Sequence, residues 1–140
     1  MAFWDTSAIV PLCCSQAATV RGRRLHRELK RMVVWWGTSI EARSAFARLV
    51  REGHFTVAER AKAVRLLAQL RTAWDEILPT EKVRSLAEDL PDAQGVRAAD
   101  AAQLAAALVW CRERPKARPF VCFDEALRTA ATALGFSVRP

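Results

Sequence analysis

Apolar positions fall along this chain in two alternating rhythms, short unbroken runs of strand length and longer stretches with one apolar face. The run Ala2-Phe3-Trp4 leads at once into Asp5-Thr6-Ser7, residue types that favour a helix N-cap, so a strand is expected to pass straight into a helix. Pro11 is expected close to that helix start, where proline is tolerated. A basic stretch from Arg21 to Arg31 follows, and then Met32-Val33-Val34-Trp35-Trp36, a continuous apolar run of the kind found in strands covered on both faces. Gly37-Thr38-Ser39 ends that strand and opens a helix expected through about Arg51, with Gly53 as its C-terminal cap. Thr56 and Glu59 form a T-x-x-E capping box, and Val57, Ala61, Val64, Leu67 and Ala68 give the expected core stripe of a helix running toward Trp74. Beyond it the pattern predicts a short strand from Asp75 to Leu78, a helix from Thr80 to Leu90 and, after Pro91 and Gly95, an apolar helix from Ala98 to Cys111. A Pro-flanked strand from Phe120 to Phe123, a helix ending at Gly135 and a weak strand from Phe136 to Arg139 complete the chain. Strand-to-helix alternation over 140 residues predicts a single α/β domain, 1–140, with a mainly parallel sheet.

Charge adds the first functional hint. Lys and Arg number 22 against 15 Asp and Glu, a net charge of +7, so a polyanion such as nucleic acid is the expected partner class. The longest uncharged stretch, Thr6 to Val20, is interrupted by Pro11, Ser15 and Gln16 and falls short of the ~20 apolar residues of a membrane span. No basic segment opens the chain and an acidic residue stands at Asp5, which predicts no secretory signal and a cytoplasmic location. Cys13, Cys14, Cys111 and Cys122 lack C-x-x-C spacing and neighbouring histidines, and are expected to be buried thiols rather than zinc ligands or disulfides.

Four carboxylates stand where a plain surface role explains them poorly. Asp100 is the only charged residue between Ala98 and Cys111, and an ionised carboxylate on a buried helix must meet a cation, a donor or a metal. Arg97 and the helix dipole are the ordinary alternative. Asp5 and Asp124 each follow a predicted strand and precede a predicted helix, the same geometric position twice, with simple N-capping as the competing role. Glu41 closes the capping-box pattern Thr38-Ser39-Ile40-Glu41, but its helix face continues through small Ala45 to Arg48, which could reach a phosphate or pair with Glu52. In open α/β sheets ligands bind outside the carboxyl ends of the strands, where Asp5 and Asp124 are expected. Carboxylates gathered there repel unless divalent cations neutralise them, and hard oxygen donors suit Mg²⁺ or Mn²⁺. With a basic surface, such a site predicts hydrolysis of a nucleic-acid phosphodiester, and residues alone do not distinguish RNA from DNA.

Four segments carry a family resemblance: FWDTSAIV from Phe3, SIEARSAF from Ser39, VRAADAAQLAAAL from Val96 and FVCFDEALRTAATALGF from Phe120. In this order the chain resembles PIN-domain ribonucleases, in particular the VapC-type toxins of bacterial toxin–antitoxin pairs. The resemblance implies a three-layer α/β/α sandwich and Mg²⁺- or Mn²⁺-dependent endonucleolytic cleavage of RNA. It also implies a protein antitoxin whose tail enters the active site, and a homodimer. Asp5, Glu41, Asp100 and Asp124 correspond to the family's acidic quartet, and Thr6 or Ser7 to a hydroxyl supporting the metal shell. Asp5, Asp100 and Asp124 are expected to hold the ion while Glu41 orients or deprotonates the attacking water. Arg48 and Arg97 are candidates for holding RNA phosphate, and the basic residues of Arg21 to Arg31 with Arg60, Lys62, Arg65 and Arg71 for following an RNA backbone or an acidic antitoxin. For the latter four a solvated helix face is the competing reading. Cys122 departs from the Thr or Ser common two positions before the last Asp, and it supports one rival reading, a silent PIN-like RNA-binding or scaffolding module. A phosphotransfer domain would want a D-x-D or adjacent acids after the first strand, which Asp5-Thr6-Ser7 does not supply. Trp4, Trp35, Trp36 and Trp110 are expected in core or dimer contacts rather than as base-stacking platforms, and Trp74, closing a helix, fits either role.

Overall fold

The computed structural model describes residues 1–140. Five strands and seven helices alternate: β1 (Ala2–Trp4), α1 (Thr6–Cys13), α2 (Thr19–Leu29), β2 (Met32–Trp35), α3 (Thr38–Arg51), α4 (Val57–Arg71), β3 (Asp75–Ile77), α5 (Glu81–Gln94), α6 (Ala98–Trp110), β4 (Pro119–Val121), α7 (Glu125–Leu134) and β5 (Ser137–Arg139). The strands form one parallel sheet in the order β3-β2-β1-β4-β5. From β1 the chain steps outward to β2 and β3, then returns across the sheet to β4 and β5. Crossovers between parallel strands keep one hand, so reversing direction moves the helices to the opposite face.

The core follows that division. Ala2, Trp4, Met32, Val34 and Val121 point to the face covered by α1 to α4, where Ile9, Leu25, Phe46 and Leu67 meet them. Phe3, Val33 and Phe120 point to the other face, against Val83, Leu104 and Leu127 of α5, α6 and α7. Neighbouring residues of each strand serve opposite layers, the period-2 geometry of a strand buried on both sides. The result is a three-layer α/β/α sandwich, the parallel α/β class that strand–helix alternation predicts and the layering that the family resemblance implies.

Several local expectations change. The basic stretch after Val20 is itself a helix, α2, which buries Thr19, Gly22 and Leu25 and leaves its arginines outside. Pro11 lies in the second half of α1 rather than at its start, and the helix ends two residues later. α5 runs through Pro91 to Gln94, where Gly95 takes a left-handed conformation and caps it. In α4 the buried positions are Ala63 and Leu67, flanked by Val64, Leu66 and Leu70. Val57, Ala61 and Ala68 face solvent. The weak terminal strand is real: β5 pairs with β4 in parallel register, Phe120 opposite Val138.

Candidate active site

Between β1 and β4 the sheet order reverses, and the carboxyl ends of these two neighbouring strands carry Asp5 and Asp124. Asp5 is buried and caps α1, its Oδ2 accepting from Ser7 N at 2.9 Å. Asp124 is exposed and caps α7 in the same manner, its Oδ2 accepting from Leu127 N at 2.8 Å. Capping and convergence therefore coincide. One hydroxyl joins the two ends: Ser7 Oγ donates to Asp5 Oδ2 and accepts from Phe123 N at 2.9 Å and Asp124 N at 3.2 Å.

Glu41 arrives from α3 and does not close the expected capping box. Gly37 occupies the N-cap position without any side-chain bond, and Glu41 instead turns inward. Its Oε2 accepts from Thr6 Oγ1 at 2.9 Å and from Gln103 Nε2 at 3.3 Å. Gln103 is fully buried on α6, and the same nitrogen lies 2.8 Å from Thr6 Oγ1 and 3.2 Å from Thr38 Oγ1. The neighbouring carboxylate sets the amide's orientation, because the reverse placement would set oxygen against oxygen. Asp100, half-buried in the first turn of α6, completes the group.

Electrostatics ties the four together. Burial raises the Glu41 carboxyl above its ordinary range, bonds from Thr6 and Gln103 oppose the shift, and the charges of Asp5 and Asp100 add to it. Asp100 is raised by burial and then by Asp124, with Arg97 opposing. Asp5 is raised by burial against the bonds from Ser7 and Cys122. Glu41 thus senses Asp5 and Asp100, and Asp100 senses Asp124, so the charges of four different elements are linked. No three of them close into a ready-made metal cage. The donor chemistry nonetheless suits a hard divalent cation: Asp5 makes all its side-chain bonds through Oδ2, and exposed Asp124 is engaged through only one oxygen.

Cys122, fully buried, sits with its Sγ 3.6 Å from both Asp5 Oδ2 and Ser7 Oγ, and donates to Asp124 O at 3.4 Å. Burial pushes this thiol well above its ordinary range, with the Asp5 charge adding, so it stays protonated. The other cysteines are free thiols too, Cys13 and Cys111 buried and Cys14 half-buried.

A cavity of about 540 Å³ opens beside the acids, lined by Thr6, Ser7, Glu41, Ser44, Ala45 and Arg48 among others. Arg48 is exposed and forms no ion pair with Glu52, which leaves its guanidinium at the cavity wall. Arg97, also exposed, precedes α6 and forms no ion pair with Asp100 within 4.0 Å; its charge is felt there only at longer range. No protein-family model and no curated protein matches the chain.

Sequence reasoning overlooked Gln103 and Thr38 as parts of this site. Gln103 had a readable signal, being the one amide in an otherwise apolar helix. Thr38 was masked by its resemblance to a helix cap. Trp4 and Trp74 are core residues, whereas Trp35 and Trp110 are half-buried and Trp36 is exposed.

Proposed function

We propose that the chain is a Mg²⁺- or Mn²⁺-dependent endoribonuclease of the PIN type, the cytoplasmic toxin of a toxin–antitoxin pair. One observation carries the reading: Asp5, Glu41, Asp100 and Asp124 come from four elements to the switch point of a parallel sheet, beside a cavity walled by Arg48. Asp5, Asp100 and Asp124 would hold the ion. When bound, a divalent cation neutralises these acids, lowers the pKa of a water and stabilises charge on the phosphate oxygens.

Glu41 orients the attacking water and accepts its proton. A carboxyl raised by burial is a better base at neutral pH than an ordinary one, and the bonds from Thr6 and Gln103 both fall on Oε2 of a side chain that lines the cavity, leaving Oε1 free to accept. The water oxygen then bonds to phosphorus as the bond to the leaving ribose oxygen breaks. Arg48 and Arg97 hold the phosphate while this occurs. A protein antitoxin covering the cleft, and a homodimer, complete the proposal on the family resemblance.

The competing reading, a silent RNA-binding module, is favoured by Cys122, a weakly polar thiol against Asp5 where a hydroxyl is expected. A single experiment separates them: incubate the purified chain with a mixed pool of structured and single-stranded RNA in Mg²⁺, in Mn²⁺ and in EDTA, beside Asp100→Asn. Discrete fragments that require the metal and vanish in the variant support the nuclease. Binding without cutting in either metal overturns it in favour of the module.

A further inference from the structure

A second cavity, of about 280 Å³, lies at the far end of α1 from the acids. Arg23 of α2, Lys62 of α4 and His54 of the α3–α4 turn line it, with half-buried Phe55 as an apolar wall. Glu59 is the only carboxylate in its lining, and neither Arg23 nor Lys62 belongs to any ion pair. Arg23 and Lys62, from separate helices, outnumber the single carboxylate Glu59 around one hollow, which leaves it a net positive charge suited to an anion.

Its position names the anion. Cys14 and Ser15 line this cavity while the next residue, Gln16, lines the acidic one, so the two hollows adjoin across a single turn of chain. On the other wall, His54 N and Phe55 N both bond to Leu49 O, at 2.8 and 3.1 Å, which folds them back against the α3 turn that carries Arg48. Arg48, then Arg23 with Lys62, mark a cationic path leading away from the carboxylates. From Thr6 to Cys13 the helix rises about 10 Å at ~1.5 Å per residue. A stacked strand covers that distance in about three nucleotides at ~3.4 Å each.

We propose that this second cavity is a phosphate subsite, gripping the RNA backbone about three nucleotides from the scissile bond. The proposal rests on the ribonuclease reading for the identity of the strand, and its geometry rests on the cavity alone. An acidic peptide is the other polyanion the cations could accept. Continuity with the phosphodiester-cleaving cavity favours RNA.

The test compares the wild-type chain with Arg23→Ala/Lys62→Ala, both exposed positions, in EDTA, using labelled single-stranded RNA of two and of eight nucleotides over a salt series. Wild type should bind the longer RNA markedly more tightly, and the double variant should lose that advantage. Its dependence of log affinity on log salt should be shallower by about 0.7, the value for one phosphate contact in a single strand. Equal binding of the eight-nucleotide RNA by both proteins, or no measurable RNA binding by wild type, overturns the subsite. So does a double variant that loses affinity for a polyglutamate peptide while keeping it for RNA. Metal-dependent cleavage by wild type, measured alongside, reports separately on the nuclease. Cutting with unchanged binding removes the subsite alone, whereas a lost length advantage without cutting in either metal removes the nuclease alone.

Discussion

Gln103 and Thr6 stand 97 positions apart in sequence, yet Gln103 Nε2 lies 2.8 Å from Thr6 Oγ1 in the buried wall of the acidic cleft. Through this bond, and the further 3.3 Å contact to Glu41, α6 governs a carboxylate that belongs to α3. Replacing Gln103 with leucine keeps the volume and removes the donor. On the proposed function, cleavage should fall by about 10- to 100-fold, the usual loss when a group behind an active side chain is removed. Because the amide lowers the Glu41 pKa, its loss should also move the acidic limb of the pH–rate profile to higher pH. A profile that keeps its position while the rate falls would assign Gln103 to packing alone.

Burial makes ionising Asp5 costly in the folded chain. Its folded pKa lies above the ordinary value, so the folded chain binds more protons than the unfolded one in the interval between the two. Stability should therefore decline as pH rises through that interval and level off above the folded pKa. Asn retains the cap and lacks the charge, so metal-free Asp5→Asn should melt higher than wild type at about pH 7.5, by roughly 3 °C for each kcal/mol relieved. The difference should shrink as the pH is lowered toward about 4, the ordinary carboxyl range. Thermal melts of the two proteins across pH measure it.

Neutralising the cluster from outside should act in the same direction. Titration with Mg²⁺ or Mn²⁺ should raise the melting temperature of wild type, by an amount equivalent to about 2.7 kcal/mol when the ion is at 100 times its dissociation constant. Asp5→Asn and Asp100→Asn should respond much less. An equal rise in all three proteins would place the ion elsewhere.

Ser7 serves two strand ends at once. In Ser7→Ala the backbone N–H groups of Phe123 and Asp124 lose their acceptor, and Asp5 loses a donor. A destabilisation of about 1–3 kcal/mol is expected from denaturant unfolding, the cost of polar groups left unpaired in a partly buried place. On the proposed function, cleavage should fall further than global unfolding explains, since Ser7 no longer ties the Asp5 end of one strand to the Asp124 end of the other.

Much of this was legible along the chain. The apolar runs gave away their strands because both faces are covered, and Gly135 marked the end of α7, adopting a φ of 103° that few other residues tolerate. Asp5 and Asp124 could be placed at strand ends from local pattern alone. α2 escaped notice because only Thr19, Gly22 and Leu25 are buried, too sparse an apolar face to stand out among its arginines. The stripe of α4 was misjudged where alanines and Val57, apolar in type, occupy a solvent face. Glu41 shows the deeper limit: Thr38-Ser39-Ile40-Glu41 is locally a cap, and only the arrival of Thr6 and Gln103 from distant elements pulls the carboxylate inward.

The pairing of β1 with β4 sets Trp4 beside Val121, so the first and last portions of the chain must meet before the cleft has all its acids. During synthesis β1, β2 and β3 emerge long before their fourth neighbour. A growing or prematurely ended chain lacking Asp124 carries an incomplete acidic cluster. On the proposed reading, a ribonuclease born among ribosomes and messengers is kept harmless by its own topology until Asp124 has been made.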